Sequence, residues 1–133
     1  MSSAPGSAVW SFDLAPVARR YERNGGQDAA RVEQEFRRFA ALCAEHPEGG
    51  LAPSLPVDGL WHELVLDSTR YREFCQQAYG AFLDHIPDDS GQGMEAEFAA
   101  TKALYETAYG APDPILWGMP GNSMSGRRRP SGA

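Results

Sequence analysis

The sequence predicts an all-α fold, a compact bundle of four to five helices with disordered ends. Apolar residues recur at three- and four-residue spacing through Asp28–Glu45, Thr69–Asp84 and Met94–Tyr109, which is the period of one buried helix face. No stretch shows sustained two-residue alternation bounded by turn signals, the mark of a half-buried strand. Small and polar residues close both ends.

The elements follow in order. Pro16 suits the first turn of a helix that runs to about Arg23, and Asn24-Gly25-Gly26 ends it. Asp28–Glu45 is the clearest helix: Val32, Phe36, Phe39, Ala40 and Cys43 share a face, and His46-Pro47-Glu48-Gly49-Gly50 stops it. Pro53 and Pro56 make Leu51–Val57 an extended connector. Asp58 then reads as the N-cap of a helix from Gly59 to Leu66 that buries Leu60, Trp61, Leu64 and Val65. Asp67 and Ser68 offer a second cap, before a helix from Thr69 to Asp84. After a loop formed by His85-Ile86-Pro87 and Asp88–Gly93, Met94–Tyr109 forms the last helix, stopped at Gly110. Ile115, Leu116 and Trp117 are expected to fold back onto the core. The domain plan is thus a disordered 1–8, a single helical domain over 9–118, and a disordered Arg/Gly/Ser-rich tail over 119–133.

A chain of 133 residues supports one apolar core and not two. No run approaches the roughly 18–20 apolar residues of a membrane span, and Met1–Gly6 lacks the basic and apolar regions of a secretory signal. The expected location is the cytoplasm, with Cys43 and Cys75 as reduced thiols. Lys102 is the sole lysine among the 12 basic residues, a bias expected of a GC-rich bacterial genome. The formal charge is −6, and the three arginines Arg127–Arg129 all sit in the tail. An acidic body argues against nucleic acid, whose binding runs on phosphate neutralisation. The expected partner is a protein or a small molecule. There is no CxxC, GxGxxG, GxxxxGK[ST], HExxH or GxSxG, so the common cofactor and hydrolase signatures are missing.

Residues able to carry chemistry concentrate between Asp58 and Pro87. Asp58 and His62 are four apart and share a helix face, so the carboxylate can hold one imidazole nitrogen and leave the other free. If the two helices meeting at 67–69 pack antiparallel, His62 faces Cys75 and Asp58 faces Tyr79. That constellation suits either a divalent metal ion held by His62 and Asp58 or a thiolate of Cys75 activated by His62. Trp61, Tyr71, Tyr79 and His85 are the ligand-binding candidates beside the catalytic candidates His62, Asp58 and Cys75. On one helix, ten residues put His85 roughly 15 Å from Cys75, too far to share an ion.

Each candidate also has a plain structural role. Asp58 serves as a cap, His62 as a hydrogen-bonded histidine and Cys75 as a small apolar residue. His85 can satisfy helix-end carbonyls, and Trp61 and Trp117 serve as core anchors.

The order Asp58, Trp61-His62, Tyr71, Phe74-Cys75, Gly80 and His85-Ile86-Pro87 resembles the signature of the glycine-rich domain-containing protein-like family. Tyr105, Gly110, Pro114 and Leu116-Trp117 extend the resemblance over about residues 32–118, as in its bacterial stand-alone members. The resemblance implies a helical domain without settled biochemistry. The long extra regions of plant members are missing here, so no role of theirs carries over. The expected function is a small cytoplasmic binding or accessory domain, of a kind that serves a bacterial biosynthetic pathway, with a polar site around Asp58, His62 and Cys75. The alternative is a compact metal-dependent or Cys-His enzyme using His62 as ligand or base.

Overall fold

A computed structural model describes residues 7–87, 94–121 and 124–128, with side chains for all of these except 85–87 and 124–128. The helices are α1 (Ala8–Ser11), α2 (Ala15–Arg23), α3 (Ala29–Glu45), α4 (Leu55–Leu66) and α5 (Ser68–Tyr79). After β1 (Leu83–Pro87) come α6 (Glu95–Tyr109), α7 (Pro114–Trp117) and β2 (Met124–Arg128). The protein is a compact helical bundle, as its periodicity predicts. Five helices have nine or more residues, and α1 and α7 are single turns of four.

The longest helix, α3, is the hub, packing against α1, α2, α4 and α6. Its buried face carries Val32, Phe36, Phe39, Ala40 and Cys43. Phe39 meets the ring of Trp61 at 5.6 Å, and Phe36 and Phe12 both meet Phe74, at 5.8 and 5.3 Å. These tilted and edge-on contacts suit the ring quadrupoles.

Three local expectations change. Pro56 does not extend the connector but occupies the first turn of α4, where a missing N–H costs nothing. The N-cap is therefore Ser54, whose hydroxyl accepts from Val57 N, and Asp58 lies inside the helix. The helix expected to reach Asp84 stops at Tyr79, because Gly80 adopts the left-handed conformation (φ 68°) that ends helices. The chain then turns into β1, which pairs antiparallel with β2 from Leu83 opposite Arg128 to Pro87 opposite Met124. A short ribbon between distant segments leaves no local alternation to read.

The segment after α7 is also tied to the bundle. Leu55 N donates to Met119 O at 3.0 Å and Gly121 N to Pro53 O at 2.9 Å. A Cβ at Gly121 would lie 2.7 Å from Asp58 Cβ, so only glycine lets the strap run this close. The connector is held from the other side by Thr101, whose hydroxyl accepts from Ala52 N. Thus part of the stretch read as a loose tail is hydrogen-bonded backbone. Residues 1–6, 122–123 and 129–133, also expected to be loose, lie outside the described residues. Leu116 and Trp117 do fold back into the core, while Ile115 points outward.

Trp61 is almost fully buried and touches the aromatic core of two other helices, α3 through Phe39 and α5 through Tyr71. Trp61→Ala is expected to cost roughly 3–5 kcal/mol, the range for large aromatic deletions in a core. Denaturant unfolding measures it, and an unchanged midpoint contradicts the packing role.

Candidate functional site

Trp61 points inward from α4. Consecutive helical residues are about 100° apart, so His62 is turned away and is exposed. Asp58 is buried, with Gly121 running close against its Cβ. Cys75 is 1% exposed, and its sulfur accepts a weak hydrogen bond from Leu83 N at 3.5 Å. Tyr79 donates to Ala40 O of α3 at 3.1 Å. Of the four, then, Asp58 and Cys75 are buried, His62 is exposed and Tyr79 is bonded to the hub helix. Among the described residues no three His, Cys, Asp or Glu side chains group as metal ligands. The Trp61 ring takes the inward position on α4, with His62 beside it on the exposed side. The backbone of His85 lies in β1 opposite Gly126, and its side chain lies outside the described residues.

What the region does assemble is a hydrogen-bond chain. The Trp61 indole N–H donates to the Tyr71 hydroxyl at 3.2 Å, and that hydroxyl donates to Leu83 O. Burial pushes the Tyr71 phenol well above its ordinary value, and the neighbouring Cys75 adds to the rise. Burial likewise pushes the Cys75 thiol up, with Asp84 contributing in the same direction. A thiol raised in this way stays protonated at neutral pH, and the thiolate is the nucleophile.

Beside Cys75 lies a shallow cleft of about 190 Å³, lined by Arg72, Cys75, Gln76, Ala81 and Phe82. Sequence reading passed over Arg72 and Gln76 because they face outward on an amphipathic helix, where charged and polar residues are routine.

A second polar cluster was not anticipated at all. Glu35 is buried on α3 and accepts from the Tyr105 hydroxyl at 2.7 Å and from the Trp117 indole N–H at 3.4 Å. Arg38 donates to the same hydroxyl at 2.7 Å, lies 3.6 Å from the carboxylate and covers the Tyr109 ring. Burial and the adjacent carboxylate push the Tyr105 phenol up to about 12. Glutamate at an outward-looking helix position carries no sequence signal for burial, and its partners lie some seventy residues on.

The sequence pattern of the family described as UCP032817-like matches residues 10–109. The chain belongs to the UCP032817-like family. That family is uncharacterised, and the match replaces the resemblance to the glycine-rich domain-containing protein-like family, which no comparison supports. The matched span of the UCP032817-like domain runs from α1 to the end of α6 and so includes α4, α5 and both polar clusters apart from Trp117. No curated protein and no solved structure matches the chain. Among the described residues, no helix is long and apolar enough to cross a membrane.

Two outcomes test these environments. Tyr71, Cys75 and Tyr105 all have raised values, so their neutral forms are favoured in the folded state. That contribution is fully present below the unfolded values and is lost as pH rises through them. The melting temperature is expected to fall from about pH 9 upward, and Cys75→Ala to move the onset toward pH 10; a flat profile from pH 8 to 11 contradicts it. Tyr105→Phe removes the donor to Glu35 and is expected to cost about 1–3 kcal/mol in denaturant unfolding. A neutral substitution there would mean the carboxylate does not depend on that hydroxyl.

Proposed function

We propose that the protein is a small cytoplasmic binding or accessory domain whose partner is a protein bearing an apolar contact set among basic residues. One observation carries this reading. Ile115 and Met119 are 85% and 65% exposed, and Met119 is joined through its backbone to Leu55, itself 37% exposed. Single exposed apolar residues are ordinary, but neighbouring ones on a rigid strap mark contact surfaces. The strap is held by the Ser54–Pro120 bridge and by Asp113, which caps α7 and pairs with Arg31 at 2.8 Å. A net charge of −6 steers a basic partner and repels nucleic acid and anionic surfaces.

The enzymatic alternative receives less support. A Cys-His mechanism needs a thiolate within reach of His62, and burial keeps the Cys75 thiol protonated.

The test is the double variant Ile115→Glu/Met119→Glu, crosslinked in the source cell beside the parent. Both are expected to melt at the same temperature, because the two side chains bury little. The parent should capture a defined basic protein that the variant loses by tenfold or more. Equal capture by both, or none by the parent, overturns the reading.

A further inference from the structure

The cleft beside Cys75 has chemistry that neither the core nor the partner surface uses. Arg72 and Gln76 are four apart on α5, so their side chains stand on one face. Gly80 reverses the chain and brings Ala81 and Phe82 back alongside that face. The Phe82 ring is fixed edge-on against Tyr71, with centroids 5.2 Å apart. The result is a small recess with two polar donors at one side and an apolar wall and floor.

Arg72 is the arginine that lines the cleft, and among the described residues its guanidinium is uncommitted. Arg20, Arg31, Arg37, Arg38 and Arg70 each hold a carboxylate. Among the described residues Arg72 has no hydrogen bond or ion pair, although the chain has 18 acidic residues. A guanidinium at the edge of a recess presents paired N–H groups in the geometry that a carboxylate accepts. The Gln76 amide adds a donor. Asp84, whose carboxylate raises the Cys75 thiol, is not among the lining residues.

We propose that this cleft binds a small organic monocarboxylate, its carboxylate on Arg72 and Gln76 and its apolar body against Phe82 and Ala81, over Cys75. A volume near 190 Å³ is below the roughly 300–1,000 Å³ of sites for drug-sized ligands, which restricts the class to acids of about ten non-hydrogen atoms or fewer. An aromatic or branched aliphatic acid fits the Phe82 wall better than a polar one, because ring faces and edges favour apolar contact. Cys75 contributes shape alone, as its protonated thiol is buried beneath the surface. The proposal is independent of the partner surface at Leu55, Ile115 and Met119.

The experiment titrates the full chain with benzoate and, separately, with the neutral isostere benzamide, following backbone amide shifts by NMR. Saturable benzoate shifts confined to residues 72–83 are expected, with benzamide at least tenfold weaker, since a charge-assisted pair is lost. Arg72→Gln, a surface change that should leave the melting temperature unaltered, is expected to weaken benzoate tenfold or more and benzamide little. Phe82→Ala should weaken both. Absence of saturation with benzoate, equal affinity for benzamide, or unchanged benzoate binding in Arg72→Gln each overturns the proposal.

Discussion

The indole N–H of Trp61 is the constraint on which this half of the molecule depends. Trp61 shares with Trp117 the place of largest side chain in the core, and burying it removes its one polar group from water. An unpaired buried donor costs more than a made hydrogen bond gains. Tyr71 supplies the acceptor, and its own hydroxyl proton then needs a partner, which is Leu83 O. One requirement thereby joins α4 to α5 and α5 to β1. Leu83 N lands on Cys75, the Gly80–Phe82 turn is drawn against α5, and the cleft follows from that turn.

The opposite side of the core is organised by a charge rather than by a neutral donor. Glu35 sits on the hub helix with Tyr105, Trp117 and Arg38 around it. Removing water from a carboxylate is costly unless hydrogen bonds and a counter-charge replace it. Here α6 provides the hydroxyl, α7 the indole and α3 itself the guanidinium, so the carboxylate selects the positions of two later helices. The α7 single turn could not stand alone in water. It is held by Trp117 on the inside and by the Asp113 cap and the Met119 backbone on the outside. That anchoring is what makes exposed Ile115 and Met119 a fixed surface.

How far the sequence was legible follows from the range of each signal. The apolar stripe of α3 is local, so Val32 to Cys43 marked its buried face directly. Pro56 is ambiguous because proline suits both an extended connector and a first helical turn, and only Ser54 as N-cap resolves it. The stop at Gly80 was masked by apolar residues that continue past it, Phe82 and Leu83, which belong to the turn and strand. The ribbon joins residues some forty positions apart and leaves no periodic trace. In the candidate site, the spacing of Asp58 and His62 was right as helical geometry but silent about rotation. The rotation is set by the bulk of Trp61, which takes the inward direction and turns His62 out.

A dense run of Trp, His, Tyr, Cys and Gly at regular spacing reads as chemistry because those residue types also build active sites. In this fold the same types answer packing demands in sequence. Trp61 fills volume, Tyr71 satisfies its nitrogen, Cys75 is small enough to lie under the returning strand, and Gly80 allows the return. Tyr79 closes the last turn onto Ala40 of the hub. Each substitution in that series would disturb the next member, so the series is a mechanical unit before it is anything else. Residues with freedom to meet a ligand are those the unit leaves over. They include Arg72 and Gln76, whose side chains stand on the outer face of the same helix and take no part in that series.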